Sequence, residues 1–175
     1  FSRCGGKMGQ IIAYSGTHGT GKTTAAYQHV VNLKMAYPDK SVKALCDLED
    51  LCPYDINKEG SRETQTWIFS NQINQELTNL KEFDIVVCDR TLIDVIGYTQ
   101  ALGFDDLAAA MFSFACYHIQ AYSKIYCKKI INNRFCFSDG IRETKDPVFR
   151  QDVENNILTT FDNIIGRGYF PGKIY

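Results

Sequence analysis

Two hydrophobic rhythms alternate along the chain. Short apolar runs of strand length occur at residues 10–15, with Ile11-Ile12-Ala13-Tyr14 at their centre, and at 41–46, 84–88 and 124–127. Between them lie longer stretches with helical spacing. The pattern predicts a helix over 22–34, carrying the good helix formers Ala25 and Ala26 and broken by Tyr37-Pro38-Asp39. Residues 51–60 hold Pro53, Asn57 and Gly60 and read as a loop. A second helix is predicted over 61–80, its apolar stripe formed by Phe69, Ile73, Leu77 and Leu80. Gln65, Gln72 and Glu76 fall on an adjoining face, where polar residues are expected to meet solvent; Gln72 reads equally as a group facing a ligand. Trp67, Phe69 and the run Met111-Phe112-Ser113-Phe114 read as core. The run 84–88 is almost wholly apolar, as in a central parallel strand covered on both faces. Further helices are expected over 92–102, ended by Gly103, and over 105–122, with Asp105 as N-cap. The stretch 132–145 is polar and loop-like, Asp146-Pro147 opens a last helix to about residue 165, and 172–175 reads as an edge strand. Strands alternating with helices predict an α/β fold, a parallel sheet between two helical layers, with a ligand at the carboxyl ends of the strands.

The segment between the first strand and first helix changes the picture. Gly16-Thr17-His18-Gly19-Thr20-Gly21-Lys22-Thr23 matches GxxxxGK[ST] in full, after an apolar strand and before a helix. Glycines let the backbone curl and aim its N–H groups at phosphate oxygens, and the positive end of the new helix points at the same anion. Lys22 is expected at the β- and γ-phosphates, and the Thr23 hydroxyl at Mg²⁺. His18 reads as an exposed loop residue rather than a catalytic one.

Other candidates fall on the same edge. Asp89 ends the third strand, where an acid in P-loop proteins holds Mg²⁺, and Arg90 follows it. Asp47, Glu49 and Asp50 follow the second strand. Asp47, at the strand's end, is the best placed to accept a proton from a substrate hydroxyl, and reads equally as part of a solvated acidic turn. Arg134 and Arg142, with Lys145 nearby, lie in the polar stretch, where arginines in a lid would close over a triphosphate; Arg142 is the first candidate.

Composition narrows the partners. The 175 residues are 45% apolar and 22% charged, enough for one domain with a real core, and Phe1 to Lys7 read as an appended remnant or short extension before Met8. A net charge of -1 argues against a strong nucleic-acid track, though a local basic patch at the phosphate site is compatible with it. No apolar run spans a bilayer, and no charged-then-apolar signal opens the chain. Seven cysteines, with no CxxC pair and no zinc-ligand spacing, read as reduced thiols of a cytoplasmic protein.

Several segments form a set: Tyr14-Ser15-Gly16 through Thr24; Cys52-Pro53-Tyr54-Asp55-Ile56-Asn57; Gln65-Thr66-Trp67-Ile68 with Gln72 and Glu76; Val87-Cys88-Asp89-Arg90-Thr91 with Tyr98; and Asp139-Gly140-Ile141-Arg142 with Phe149-Arg150. Together they resemble the AAA-domain ATPase/kinase-like P-loop family, which includes the nicotinamide riboside kinase module of the bifunctional bacterial NAD regulator. The family is similar at greater distance to thymidylate and deoxynucleoside kinases. The resemblance implies a three-layer P-loop NTPase sandwich of the nucleoside- or nucleotide-kinase type with a helical lid. It implies ATP, or GTP in its place, on Gly16 to Thr24, Mg²⁺ at Thr23 and Asp89, Lys22 and Arg90 near the transferred phosphoryl group, and Arg142 in the lid. One departure is visible: Asp47-Leu48-Glu49-Asp50 lacks the arginine expected shortly after that acid. The leading expectation is an ATP- and Mg²⁺-dependent phosphotransferase acting on a small nucleoside or nucleotide. The alternative is a nucleotide-dependent ATPase or GTPase switch with no small acceptor. The oligomeric state is left open.

Overall fold

The computed structural model describes residues 9–130, 146–170 and 172–175. Five parallel strands, β1 (Gln10–Ser15), β2 (Val42–Leu45), β3 (Ile85–Cys88), β4 (Tyr122–Cys127) and β5 (Lys173–Ile174), form one sheet in the order β2-β3-β1-β4-β5. Among the described residues, five α-helices connect or follow them: α1 (Lys22–Ala36), α2 (Arg62–Glu82), α3 (Leu92–Ala101), α4 (Asp105–His118) and α5 (Pro147–Gly166). The three layers expected from the alternation of strand and helix are present. Among the described residues no helix is long and apolar enough to cross a membrane.

The strand repeat of two sorts the core into layers. Ile12, Tyr14, Val42, Ile85 and Val87 pack with Ala26 and Val30 of α1 on one face. Ile11, Ala13, Val86, Cys88 and Ile125 pack on the other face with Ile93 and Tyr98 of α3 and with Val153, Ile157 and Phe161 of α5. A third cluster joins α2, α3 and α4 through Ile68, Phe69, Leu92, Val95, Ile96, Ala108 and Met111. Gly97 lets α3 and α5 cross closely, since a β-carbon there would stand 2.5 Å from the Ile157 side chain.

Local signals set the helix starts. The Asp146 side chain accepts the Phe149 N–H at 2.9 Å and Pro147 takes the first turn of α5, as the sequence predicts. Ser61 with Thr64, and Thr91 with Asp94, form reciprocal caps on α2 and α3. Three expectations need correction. α4 stops at His118, a 3-10 turn covers Ile119–Ala121, and Tyr122 already belongs to β4, where it pairs with Ile11 of β1. Asp105 lies inside the first turn of α4, and Phe104 is its N-cap residue. Leu77 is exposed rather than part of the α2 stripe, and the buried face of α2 runs instead through Gln65, Ile68, Phe69, Gln72, Glu76 and Leu80.

Candidate functional site

The site begins where β1 leaves the sheet. Gly16, Gly19 and Gly21 have φ of 146°, 67° and 77°, a region that side chains oppose, and a β-carbon on Gly16 would also collide with the Lys128 carbonyl oxygen. Distant parts of the chain hold the resulting curl. Asp94, buried in α3, accepts the Gly16 N–H at 2.9 Å and the Thr91 N–H at 2.8 Å, and also accepts the Ser15 hydroxyl. The Tyr98 hydroxyl accepts the His18 N–H at 2.9 Å and lies 2.8 Å from His18 Nδ1. From α5, Arg150 donates through Nε to the His18 carbonyl at 3.0 Å and through Nη2 to the Gly19 carbonyl at 3.2 Å. The Lys128 N–H donates to the Ser15 carbonyl at 2.7 Å.

Lys22 is buried and donates from Nζ to the Thr17 carbonyl at 2.8 Å. Burial lowers its pKa to about 8 against the opposing pull of Asp94. The Thr23 hydroxyl donates to Asp89 Oδ2 at 2.7 Å, so the P-loop threonine and the acid at the end of β3 present oxygens side by side. Such hard oxygen donors suit Mg²⁺, which takes one or two protein oxygens and completes its shell with phosphate and water. Burial, reinforced by Glu49, raises the Asp89 pKa.

Beyond Asp89 lies a narrow cleft whose lining includes His18, Lys22, Thr23, Glu49, Asp89, Arg90 and Tyr98 with Gln65, Ile56 and Ile68. Arg90 Nη2 donates to Glu49 Oε1 at 2.7 Å, both side chains nearly buried, and the guanidinium carbon stands 5.4 Å from the centre of the Tyr98 ring. Burial pushes the Glu49 carboxyl up, but Arg90 and Lys22 outweigh it and hold the pKa at about 2. Burial likewise opposes the charge on Arg90, but Glu49, Tyr98, Asp94 and Asp89 together outweigh it and raise the Arg90 pKa. On the other side of the P-loop a groove is lined by Gly19, Thr20, Gly21, Thr24, Ala25 and Gln28 with Lys128 and Lys129 from the end of β4.

Lys22, Thr23, Asp89 and Arg90 are thus brought together. Asp47 is half-buried and sits at φ 56°; its N–H donates to Asp89 Oδ2 at 3.4 Å. The left-handed turn sends the chain into a 3-10 helix at Leu48–Leu51, and Glu49, not Asp47, lines the cleft. His18 is buried against Tyr98 rather than exposed. Gln65, Gln72 and Glu76 are buried as well, contrary to the expected solvent face. Gln72 donates to Glu76 at 2.7 Å and to the Arg90 carbonyl at 3.3 Å. Glu76 also holds His118 at 2.6 Å and the Tyr122 hydroxyl at 2.8 Å. A hydrogen-bonded network therefore replaces the expected solvent, and its outer end supports the backbone at Arg90. Arg134, Arg142, Lys145 and the expected lid lie outside the described residues, as does the extension 1–7. The sequence reading does not single out Asp94, although Thr91-x-x-Asp94 after an apolar strand has the spacing of a capping box. It reads Glu49 only as one acid of a turn, and it places Tyr98 and Arg150 only within the resemblance.

No family model matches the sequence, and no curated protein matches it. Solved structures do share its fold. A thymidylate kinase from Ehrlichia chaffeensis superposes with a TM-score of 0.64 at 17% identity, covering 97% of this chain and 86% of that one. A deoxyadenosine kinase from M. mycoides, solved with the products dCMP and a flexible dCDP, superposes with a TM-score of 0.62 at 13% identity, covering 95% and 89%. The architecture is therefore the P-loop fold of nucleoside and nucleotide kinases.

Proposed function

We propose that the chain is an ATP- and Mg²⁺-dependent phosphotransferase whose acceptor is a small nucleoside or nucleotide. The observation that carries this is the pair of clefts meeting at one P-loop. A switch ATPase needs only the donor side. Here the far side of the loop opens onto a second built cleft, with an ionic pair, Glu49–Arg90, facing Lys22 and Asp89. That is the arrangement a transfer between two bound molecules requires. The kinase fold supports the same reading.

In this reading the backbone from Gly16 through Thr17, His18, Gly19, Thr20 and Gly21 to Thr24 cradles the donor phosphates, and Lys22 turns from the Thr17 carbonyl to them. Thr23 and Asp89 hold Mg²⁺, which neutralises charge on the phosphates. Arg90 orients the acceptor end, and Arg142 closes from the lid. The sequence points to Asp47 as the acceptor's base; the cleft lining favours Glu49 for that position, two residues on. Among the described residues, the cleft balances Lys22 and Arg90 against Glu49 and Asp89, and Arg90 is already engaged by Glu49. An acceptor monophosphate would bring its charge against two carboxylates. The balance favours an uncharged hydroxyl acceptor, a nucleoside or a riboside such as the family resemblance suggests.

The test is ADP release from ATP·Mg²⁺ across a panel of nucleosides, their 5′-monophosphates and nicotinamide riboside. Release that depends on a nucleoside or riboside is expected. Release indifferent to every acceptor would replace the kinase reading with an ATPase.

A further inference from the structure

Tyr98 touches both half-sites. Its hydroxyl accepts the His18 N–H at 2.9 Å and sits 2.8 Å from His18 Nδ1, so it grips the middle of the P-loop through backbone and side chain of one residue. Its ring carries the Arg90 guanidinium at 5.4 Å on the acceptor side. Phe149 of α5 backs the ring at 6.1 Å between centroids, and Tyr98 as a whole is 4% exposed. Few freedoms remain to such a side chain: two torsions, both locked by packing. Arg90 in turn is bonded to Glu49 at 2.7 Å. An unbroken series of contacts therefore runs from the P-loop backbone through Tyr98 to the charge pair in the second cleft.

We propose that Tyr98 is a positioning residue that couples the two clefts, its hydroxyl setting the P-loop for the donor and its ring setting Arg90 for the acceptor. The proposal rests on the two-cleft reading above, and it adds a linkage between the clefts. The groups that touch one another here have one shared arrangement in the closed site. A donor that fixes the His18 backbone also fixes the ring, and with it the plane of the guanidinium. By reciprocity an acceptor that orders Arg90 and Glu49 tightens the donor loop by the same factor. The hydroxyl and the ring do different work, so two substitutions separate them. Tyr98→Phe keeps the ring over which Arg90 stacks and removes the hydrogen bonds to His18. Tyr98→Leu removes both.

The experiment measures binding of a fluorescent, slowly hydrolysed ATP analogue to the intact chain, with folding checked by circular dichroism. Loss of a buried hydrogen bond to a loop N–H weakens binding about fivefold to tenfold for Tyr98→Phe. Ile164→Val, a core substitution in α5 that lines neither cleft, is expected to leave that affinity within about twofold. In turnover with the best acceptor of the panel, Tyr98→Phe raises the KM for ATP and, because the linkage is reciprocal, raises the acceptor KM at saturating ATP by a similar factor. Tyr98→Leu raises both further and lowers kcat. An analogue affinity in Tyr98→Phe equal to that of the parent chain overturns the proposal, and so does equal weakening by Ile164→Val, which would mark a merely structural role. Because the binding arm uses no acceptor, an unchanged affinity in Tyr98→Phe overturns the proposal even if the parent chain proves to have no acceptor-dependent turnover, the outcome that would defeat only the kinase reading.

Discussion

Glu49→Gln isolates the charge pair in the second cleft. The substitution keeps the shape of the side chain and removes the charge that faces Arg90 at 2.7 Å. The cost follows from two routes. In the folded chain the Glu49 carboxyl is held at about 2, against an ordinary 4.5. A difference of that size corresponds to about 3 kcal/mol of stability at pH 7. Removing one partner of a buried pair, which strands the other charge, independently costs roughly 3–5 kcal/mol. The folded pKa is depressed, so the contribution is complete above the unfolded value of 4.5 and fades as pH falls toward about 2. The gap between parent and variant should narrow from about 3 kcal/mol at pH 7 to about 1.4 kcal/mol at pH 3. Asp89 and Asp94 act in the opposite sense, because burial raises their folded pKa and their contribution is lost as pH rises. Asp94 cancels between parent and variant, whereas Asp89 loses the repulsion of Glu49 in the variant and so offsets part of the gap at pH 7. Urea denaturation at a series of pH values reads it, with a midpoint shift of about 1.5 M at pH 7 for an m-value of roughly 2 kcal/mol/M. A gap that stays constant from pH 7 to pH 3 would refute the reasoning, since it would mean that Glu49 does not titrate as the ionised partner of Arg90.

Three further outcomes are expected. Asp94→Asn removes the carboxylate shared by the Gly16 N–H, the Thr91 N–H and the Ser15 hydroxyl, and should cost about 2–4 kcal/mol in urea unfolding together with at least a tenfold loss of ATP-analogue affinity, although Asp94 is buried beneath the loop and lines neither cleft. ATP-analogue affinity should fall as pH rises through about 8, where the Lys22 ammonium loses its proton, and fluorescence titration should show no such fall in Lys22→Ala, itself expected to bind at least tenfold more weakly and to abolish turnover. Gly97→Val forces a side chain against Ile157 at the crossing of α3 and α5 and should lower stability by about 1–3 kcal/mol, read as a fall in Tm.

The strands were legible because their runs are short, apolar and bounded, and β1, β3 and the P-loop between strand and helix follow directly from residues 10–23 and 84–89. The buried face of α2 was not. Gln65, Gln72 and Glu76 look like a solvent face to any count of polar residues, and only the chain folded around them supplies His118, Tyr122, Thr99 and the Arg90 carbonyl as partners. His18 hides for the same reason: its partner, Tyr98, is 80 residues away. Glu49 displaces Asp47 from the cleft through one backbone torsion at Asp47, a φ of 56° that no side-chain pattern announces. The P-loop is thus written in one contiguous motif, whereas the cleft beyond Asp89 is assembled from separate turns and helices.

The eight residues of the motif do not hold their own shape. Ser15 and Gly16 lean on Asp94, His18 on Tyr98, Ser15 on Lys128, and the His18 and Gly19 carbonyls on Arg150. During synthesis the motif emerges before all of its supports, and Lys128 and Arg150 follow it by more than a hundred residues. A nascent chain that has not yet exposed Arg150 carries the whole P-loop sequence without its finished geometry, which α5 completes when it docks. A nucleotide bound by the finished loop would then act as a seal, favouring those copies in which α5 has found its place.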